Sequence, residues 1–236
     1  MNLAQPAKLL TGISSMATRL VLADLLSEFE KTTGVAMAVE SVGGVDAAKR
    51  VAAGEHFDVV FLASDAIDKL IAAGHLAAGS RVDLVHSGVS VAVKSGAPVP
   101  DLGSEAGVRE AVLAAPSIGY STGPSGTALM QLFERWGIAD TLQGRLIQAR
   151  AGVPVASLVA SGEVALGFQQ LSELLNVAGI EVVGPLPEAI QIVTTFSAAL
   201  PAQPEAGSTE AVRALLEFLC SAETAGVKRR HGMAPV

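Results

Sequence analysis

The run Val59-Val60-Phe61-Leu62 sets the tightest limit on what this chain can fold into. Successive side chains of a strand point to opposite faces, so an unbroken apolar run needs cover on both sides. Residues 58–62 therefore read as a strand buried on both faces, as in a parallel sheet whose crossovers are helices. The flanking sequence supplies those helices. Lys8-Leu9-Leu10-Thr11-Gly12 reads as a first strand, followed by a helix with Leu22, Leu25, Leu26 and Phe29 on one face that ends near Gly34. Residues 35–39 read as a second strand, and the turn containing Gly43 and Gly44 opens a helix through Val51 that stops at Gly54. Ser64 and Asp65 are expected to cap a helix carrying Ile67, Leu70 and Ile71. The same alternation restarts later, with strands at 117–121, 146–148 and 164–169.

Two long β-rich segments, 82–93 and 190–196, join the α/β halves, which is the connection a hinged, two-lobed protein requires. The expected division is 1–83 with 195–236 as one lobe and 84–194 as the other, with hinge segments near 82–94 and 188–196. Helices over 210–220 and 222–228 would return the chain to the first lobe.

Among the 236 residues, 50% are hydrophobic and 17% charged, a globular composition. No apolar run reaches the ~18 residues of a membrane span, so no membrane insertion is expected. The net charge of −7 and the scattered basic residues argue against a nucleic-acid partner. The cluster Lys228-Arg229-Arg230-His231 falls at the end of the last helix, where cations suit the helix dipole. The single cysteine, Cys220, excludes an internal disulfide and reads as a buried, inert thiol on an apolar helix. The histidines are far apart, and the expectation is no metal and no cofactor: hydrolase elbow, Walker loop and dinucleotide fingerprint are all missing. Met1 is followed so soon by the first strand that no secretory signal fits, which points to the cytoplasm; if Met1 replaces a removed signal, the location is periplasmic.

The segment Gly123-Pro124-Ser125-Gly126-Thr127 reads as a strand-to-helix turn that could hold an anion. Leu129, Leu132, Phe133 and Trp136 form one helical face behind it, and Gly137 is the C′ glycine. A helix start offers unpaired N–H groups and a partial positive charge. The alternative is that Ser125 or Thr127 only caps the helix. Asp58 before the apolar strand reads as a structural hydrogen-bond acceptor.

The order Gly12-Ile13-Ser14-Ser15, Gly43-Gly44, Gly54-Glu55-His56-Phe57-Asp58-Val59-Val60, Ser125-Gly126-Thr127, Gly162-Glu163 and Gly184-Pro185-Leu186-Pro187 resembles the type II periplasmic-binding-protein superfamily, specifically molybdate-binding-protein-like chains. The stretch from Gln169-Gln170-Leu171-Ser172-Glu173 onward looks closer to a branch that includes aconitate isomerase. The resemblance covers nearly the whole chain. It implies two α/β lobes, each a mostly parallel sheet flanked by helices, closing over a small anion. Carried over residue by residue, it assigns Ser14 and Ser15 to the first binding loop, Gly43 and Gly44 to the second, Ser64 to the border, and Ser125, Gly126 and Thr127 to the second lobe. Two departures stand out. Glycine occupies the second loop where a hydroxyl is expected, and Gln169 and Gln170 stand where a tyrosine is usual. Glycines leave room for a larger carboxylate ligand. All these candidates fall at carboxyl ends of strands, the edge where open α/β sheets bind ligands.

Three functions follow as alternatives. The first is a solute receptor for an oxyanion or small organic acid, partnered with an ABC transporter if exported. The second is a cytosolic isomerase of a di- or tricarboxylate, for which Glu173 and Tyr120 are the titratable candidates. The third is a sensor domain acting on a separate partner.

Overall fold

The computed structural model describes residues 9–150, 152–205 and 207–236. In chain order the elements are β1 (Leu10–Ser15), α1 (Arg19–Thr33), β2 (Met37–Val42), α2 (Gly44–Ala52), β3 (Val59–Ala63), α3 (Ser64–Ala72), β4 (Val82–Lys94) and α4 (Glu105–Ala114). Then come β5 (Ile118–Tyr120), α5 (Pro124–Arg135), β6 (Leu146–Gln148), α6 (Val155–Ser161), β7 (Leu166–Gln170), α7 (Leu171–Leu174) and β8 (Ile180–Pro185). The chain finishes with β9 (Val193–Ala199), α8 (Thr209–Cys220), α9 (Ala225–Arg230) and β10 (Met233–Pro235). The first strand runs to Ser15, three residues beyond the expected Gly12, and the Lys8 end of that expectation lies outside the described residues.

The chain divides into two compact units, Met1–His86 with Thr195–Val236, and Ser87–Thr194. In the first unit the strand order is β2-β1-β3-β9. β1 pairs in parallel with β2 and with β3, whereas β9 runs antiparallel to β3. β3 shows why its sequence is apolar throughout. Val59, Phe61 and Ala63 pack into a core with Leu22, Leu25 and Phe29 of α1 and Leu215 of α8. Val60 and Leu62 pack on the other face with Val51 of α2 and Ile67 of α3. Helix cover on both faces leaves every β3 residue buried.

In the second unit β4 is followed by β7, β5 and β6, with β8 also paired to β4. β5 runs parallel to β6 and β7, and β4 runs antiparallel to β7 and β8. Val91, Ile118, Phe168 and Phe133 of α5 share its main core. On the opposite face α6 lies against two glycines. A Cβ on Gly167 would stand 2.5 Å from Val159, and one on Gly119 2.8 Å from Val164 and 3.0 Å from Val155. The absent side chains let α6 approach the strands closely.

The strands of the βαβ units run parallel as expected, and antiparallel strands join them in each unit, so the sheets are mixed. The antiparallel members β4, β8 and β9 include both segments in which the backbone passes from one unit to the other. A strand entering from the neighbouring unit is not bound by the right-handed crossover that makes βαβ strands parallel. A correction concerns Cys220, which is exposed: it closes α8 beyond the apolar stripe of Val212, Leu215, Leu216 and Leu219. In the basic cluster, Lys228 is buried and His231 Nε2 lies 2.8 Å from Asp24 at the end of α9. Among the described residues, no helix is long and apolar enough to cross a membrane.

Candidate functional site

In the first unit, β1, β2 and β3 run parallel, so their carboxyl ends share one edge. There the register sets Ser14 opposite Ser41, with their hydroxyl oxygens 2.7 Å apart. Ser15 follows, its Oγ 3.4 Å from Thr18 Oγ1, and the Thr18 hydroxyl donates to the Ser15 carbonyl at 3.2 Å. Ser14 and Ser15 are buried. Gly43 is the N-cap of α2 with no side-chain cap, and a Cβ on Gly44 would meet Ser15 Cβ at 3.6 Å. The structure thus brings Ser14, Ser15, Gly43 and Gly44 together. It also supplies the hydroxyl that the glycine-rich loop lacked. Ser41 occupies in β2 the penultimate place that Ser14 occupies in β1, and the strand pairing makes them neighbours. Ser64 lies at this same edge, but as the first residue of α3, and neither it nor Asp65 caps the helix with a side chain. The N-cap is Ala63, which corrects the capping expectation; β3 runs straight into α3, so Ser64 is already helical.

In the second unit, β5, β6 and β7 present the equivalent edge. Helix α5 begins at Gly123 as N-cap with Pro124 at its first position. The amides of Gly126 and Thr127 both donate to the Gly123 carbonyl, at 3.0 and 3.2 Å. Thr127 is exposed and its amide is engaged in the helix, which leaves its hydroxyl as the group it can offer a ligand. The first-turn donor left without an intrahelical acceptor is the amide of Ser125, because Pro124 has none. The Ser125 hydroxyl lies 3.1 Å from that of Ser121. A Cβ on Gly126 would stand 1.9 Å from the Ser121 carbonyl oxygen and 3.2 Å from the Tyr120 ring, so only glycine fits.

At the end of β7, Gln169 is buried and both ends of its amide are engaged. Its Oε1 accepts the Ala156 amide at 3.1 Å, and its Nε2 donates to Glu173 Oε1 at 2.9 Å. Of its two readings, ligand donor or side chain satisfying backbone groups, Gln169 here takes the second, tying the start of α6 to Glu173. Gln170 Nε2 donates to Thr194 Oγ1 at 2.8 Å, and its Oε1 is enclosed with no partner among the described residues. Burial pushes the Glu173 carboxyl up to about 7, and the hydrogen bond from Gln169 opposes this only in part. Glu173 is therefore no ordinary solvated helix-start residue: it is a carboxyl poised to exchange protons near neutrality.

One group of mixed metal-ligand type also assembles that sequence spacing did not announce. His56, Asp58 and Glu205 each place an atom within 4.8 Å of the others. It lies at the amino end of β3, away from the carboxyl edge. Asp58 Oδ2 there accepts the amide and hydroxyl of Thr11 at 2.8 and 3.1 Å, as its expected structural role requires.

Comparisons with known proteins agree with this architecture. A family model described as "Bacterial extracellular solute-binding protein" matches residues 10–234. An aconitate isomerase from a Pseudomonas species is 38% identical over 241 residues, covering 99% of this chain and 90% of that one. Among solved structures, the periplasmic molybdate-binding protein of Azotobacter vinelandii superimposes with a TM-score of 0.78 at 22% identity, over 95% of this chain and 98% of the other. The sulfate-binding protein SubI of Mycobacterium tuberculosis gives 0.77 at 14% identity, over 96% and 86%. At these identities the structural likenesses speak for the fold, which is that of periplasmic binding proteins.

Proposed function

Since the chain belongs to the bacterial extracellular solute-binding protein family, we propose that it binds a small organic acid through its carboxyl-edge loops and isomerises it by proton transfer. The observation that carries the proposal is Glu173, a carboxyl held by desolvation at a pKa of about 7 and tied through Gln169 to the start of α6 at the carboxyl end of β7. A carrier of a fully ionised oxyanion gains nothing from such a group. An acid–base catalyst needs one. The full-length likeness to an aconitate isomerase supports a tricarboxylate such as aconitate as the substrate.

The chemistry requires no cofactor. Ionised Glu173 would remove a proton from the methylene carbon of cis-aconitate. The electron pair delocalises over the adjacent double bond and carboxylates, and amides and hydroxyls such as those of Ser125 and Ser121 stabilise the accumulating charge. Return of the proton from Glu173 to the far carbon of the allylic system moves the double bond and releases the trans isomer. One proton leaves and one returns, so the step balances. Gln169 positions Glu173, and Tyr120, packed against Gly126, borders the same loop.

The test is proton NMR of cis-aconitate incubated with the protein. Appearance of the trans isomer, lost in Glu173→Gln, is the expected result; an unchanged spectrum would remove the isomerase proposal. Family membership supports a second reading, in which the same loops deliver an anion to an ABC transporter. That reading puts the chain outside the cytoplasmic membrane. Fractionation of the native producer discriminates, since a purely cytosolic protein cannot serve external uptake.

A further inference from the structure

An organic acid with several carboxylates brings charges that lie several ångströms apart, and an acidic protein must meet them with local cations rather than with its overall field. The second unit contains Lys94, Arg109, Arg135, Arg145 and Arg150 as its cations. The fold sets one of them apart. Arg145 stands at the amino end of β6, donating to the carbonyls of Leu113 and Ala115 at 2.8 and 2.9 Å. Arg135 is in the last turn of α5, the end far from the carboxyl edge, 3.5 Å from Glu105. Lys94 ends β4, whose pairing of Ala92 with Gly167 sends it past the amino end of β7. Arg109 lies within α4, which leads into the amino end of β5.

Arg150 alone follows a strand at the carboxyl edge. The register that pairs Tyr120 with Gln148 continues one step, with the Ala149 amide donating to the Tyr120 carbonyl at 2.9 Å. The next residue is Arg150, level with the Ser121–Ser125 loop. Its carbonyl accepts the Val153 amide at 2.9 Å, closing a turn in which Gly152 has φ 77°. That turn enters α6, whose Ala156 amide is held by Gln169, the partner of Glu173. Arg150 is exposed and makes no ion pair or side-chain hydrogen bond among the described residues.

We infer that Arg150 is the specificity-determining cation of this site, pairing with a carboxylate of a di- or tricarboxylate ligand. The inference rests on the organic-acid reading above and deepens it. A compact oxyanion is served by neutral hydroxyl and amide donors alone. A second carboxylate needs a forked, permanently charged donor, which a guanidinium on a long side chain supplies in bidentate form. An arginine carried at the carboxyl edge also explains how neutral loops of the kind described could accept a multiply charged acid.

The experiment is isothermal titration calorimetry of cis-aconitate into the wild type, Arg150→Lys and Arg150→Ala, at low and at physiological salt. Binding at least 10-fold weaker in Arg150→Ala, intermediate in Arg150→Lys, and less salt-dependent in Arg150→Ala but not in Arg150→Lys supports the assignment. The unfolding temperatures of the unliganded variants should match the wild type, because the side chain has no partner to lose. Affinity within 2-fold of wild type in Arg150→Ala overturns the role of Arg150 while leaving the organic-acid reading intact. A wild type that binds neither cis-aconitate nor citrate overturns that reading, and Arg150's role with it.

Discussion

At the scale of single residues, Glu173 and Gly126 make the sharpest claims. With its carboxyl raised to about 7, Glu173 keeps its proton in the folded state at pH values where the unfolded chain has lost it. Its stabilising contribution is therefore complete below about 4.5 and lost as pH rises through about 7. Chemical denaturation across pH 4 to 8 should show stability falling over that window, by at most about 3 kcal/mol, and the fall should vanish in Glu173→Gln. Isomerisation should depend on the same group with the opposite sense, rising as Glu173 ionises through about 7 and dropping 10²- to 10⁴-fold in Glu173→Gln with binding retained. Gly126→Ala puts a methyl group 1.9 Å from a backbone oxygen. It should cost about 2 to 4 kcal/mol in a denaturant melt and displace Ser125, weakening ligand binding as well. The Gly126 constraint was visible in sequence only as a small residue in a turn; the Ser121 carbonyl that imposes it becomes a neighbour through the turn itself.

At the scale of elements, the strand and helix alternation was legible because each helix carries its apolar stripe and each buried strand its unbroken run. What escaped were pairings between segments distant in sequence. Ser41 was passed over in favour of Gly43 and Gly44 because only the parallel register of β1 and β2 makes it a partner of Ser14. Gln169 read as a ligand donor or a backbone partner because its contacts to Ala156 and Glu173 depend on how α6 and α7 dock. Cys220 was judged by the apolar helix around it, although it terminates the helix outside the packed face. Helix α4 and the antiparallel strand β8 carry weaker periodic signals and were not singled out. Two experiments belong here. A double-mutant cycle of Ser14→Ala and Ser41→Ala should give a coupling of about 0.5 to 1.5 kcal/mol in stability, with additivity within about 0.3 kcal/mol showing that the hydroxyl pair contributes nothing. Gly167→Val should destabilise by roughly 3 kcal/mol or more by driving α6 off the sheet, seen as a lowered denaturation midpoint.

At the scale of the whole molecule, the α/β architecture and the family were legible over nearly the full length, because short motifs recur in a fixed order along the chain. The reversed direction of β4, β8 and β9 was not, since it depends on the chain passing twice between units rather than on any local pattern. The claim on which everything else depends is that the carboxyl-edge loops bind a small organic acid. The most direct measurement is thermal denaturation with and without cis-aconitate. At about 100 times its dissociation constant the ligand should add roughly 2.7 kcal/mol of stability, raising the midpoint by about 5 to 10 °C, with the gain much reduced in Ser125→Ala. A midpoint that moves by less than about 1 °C in millimolar cis-aconitate would contradict the account.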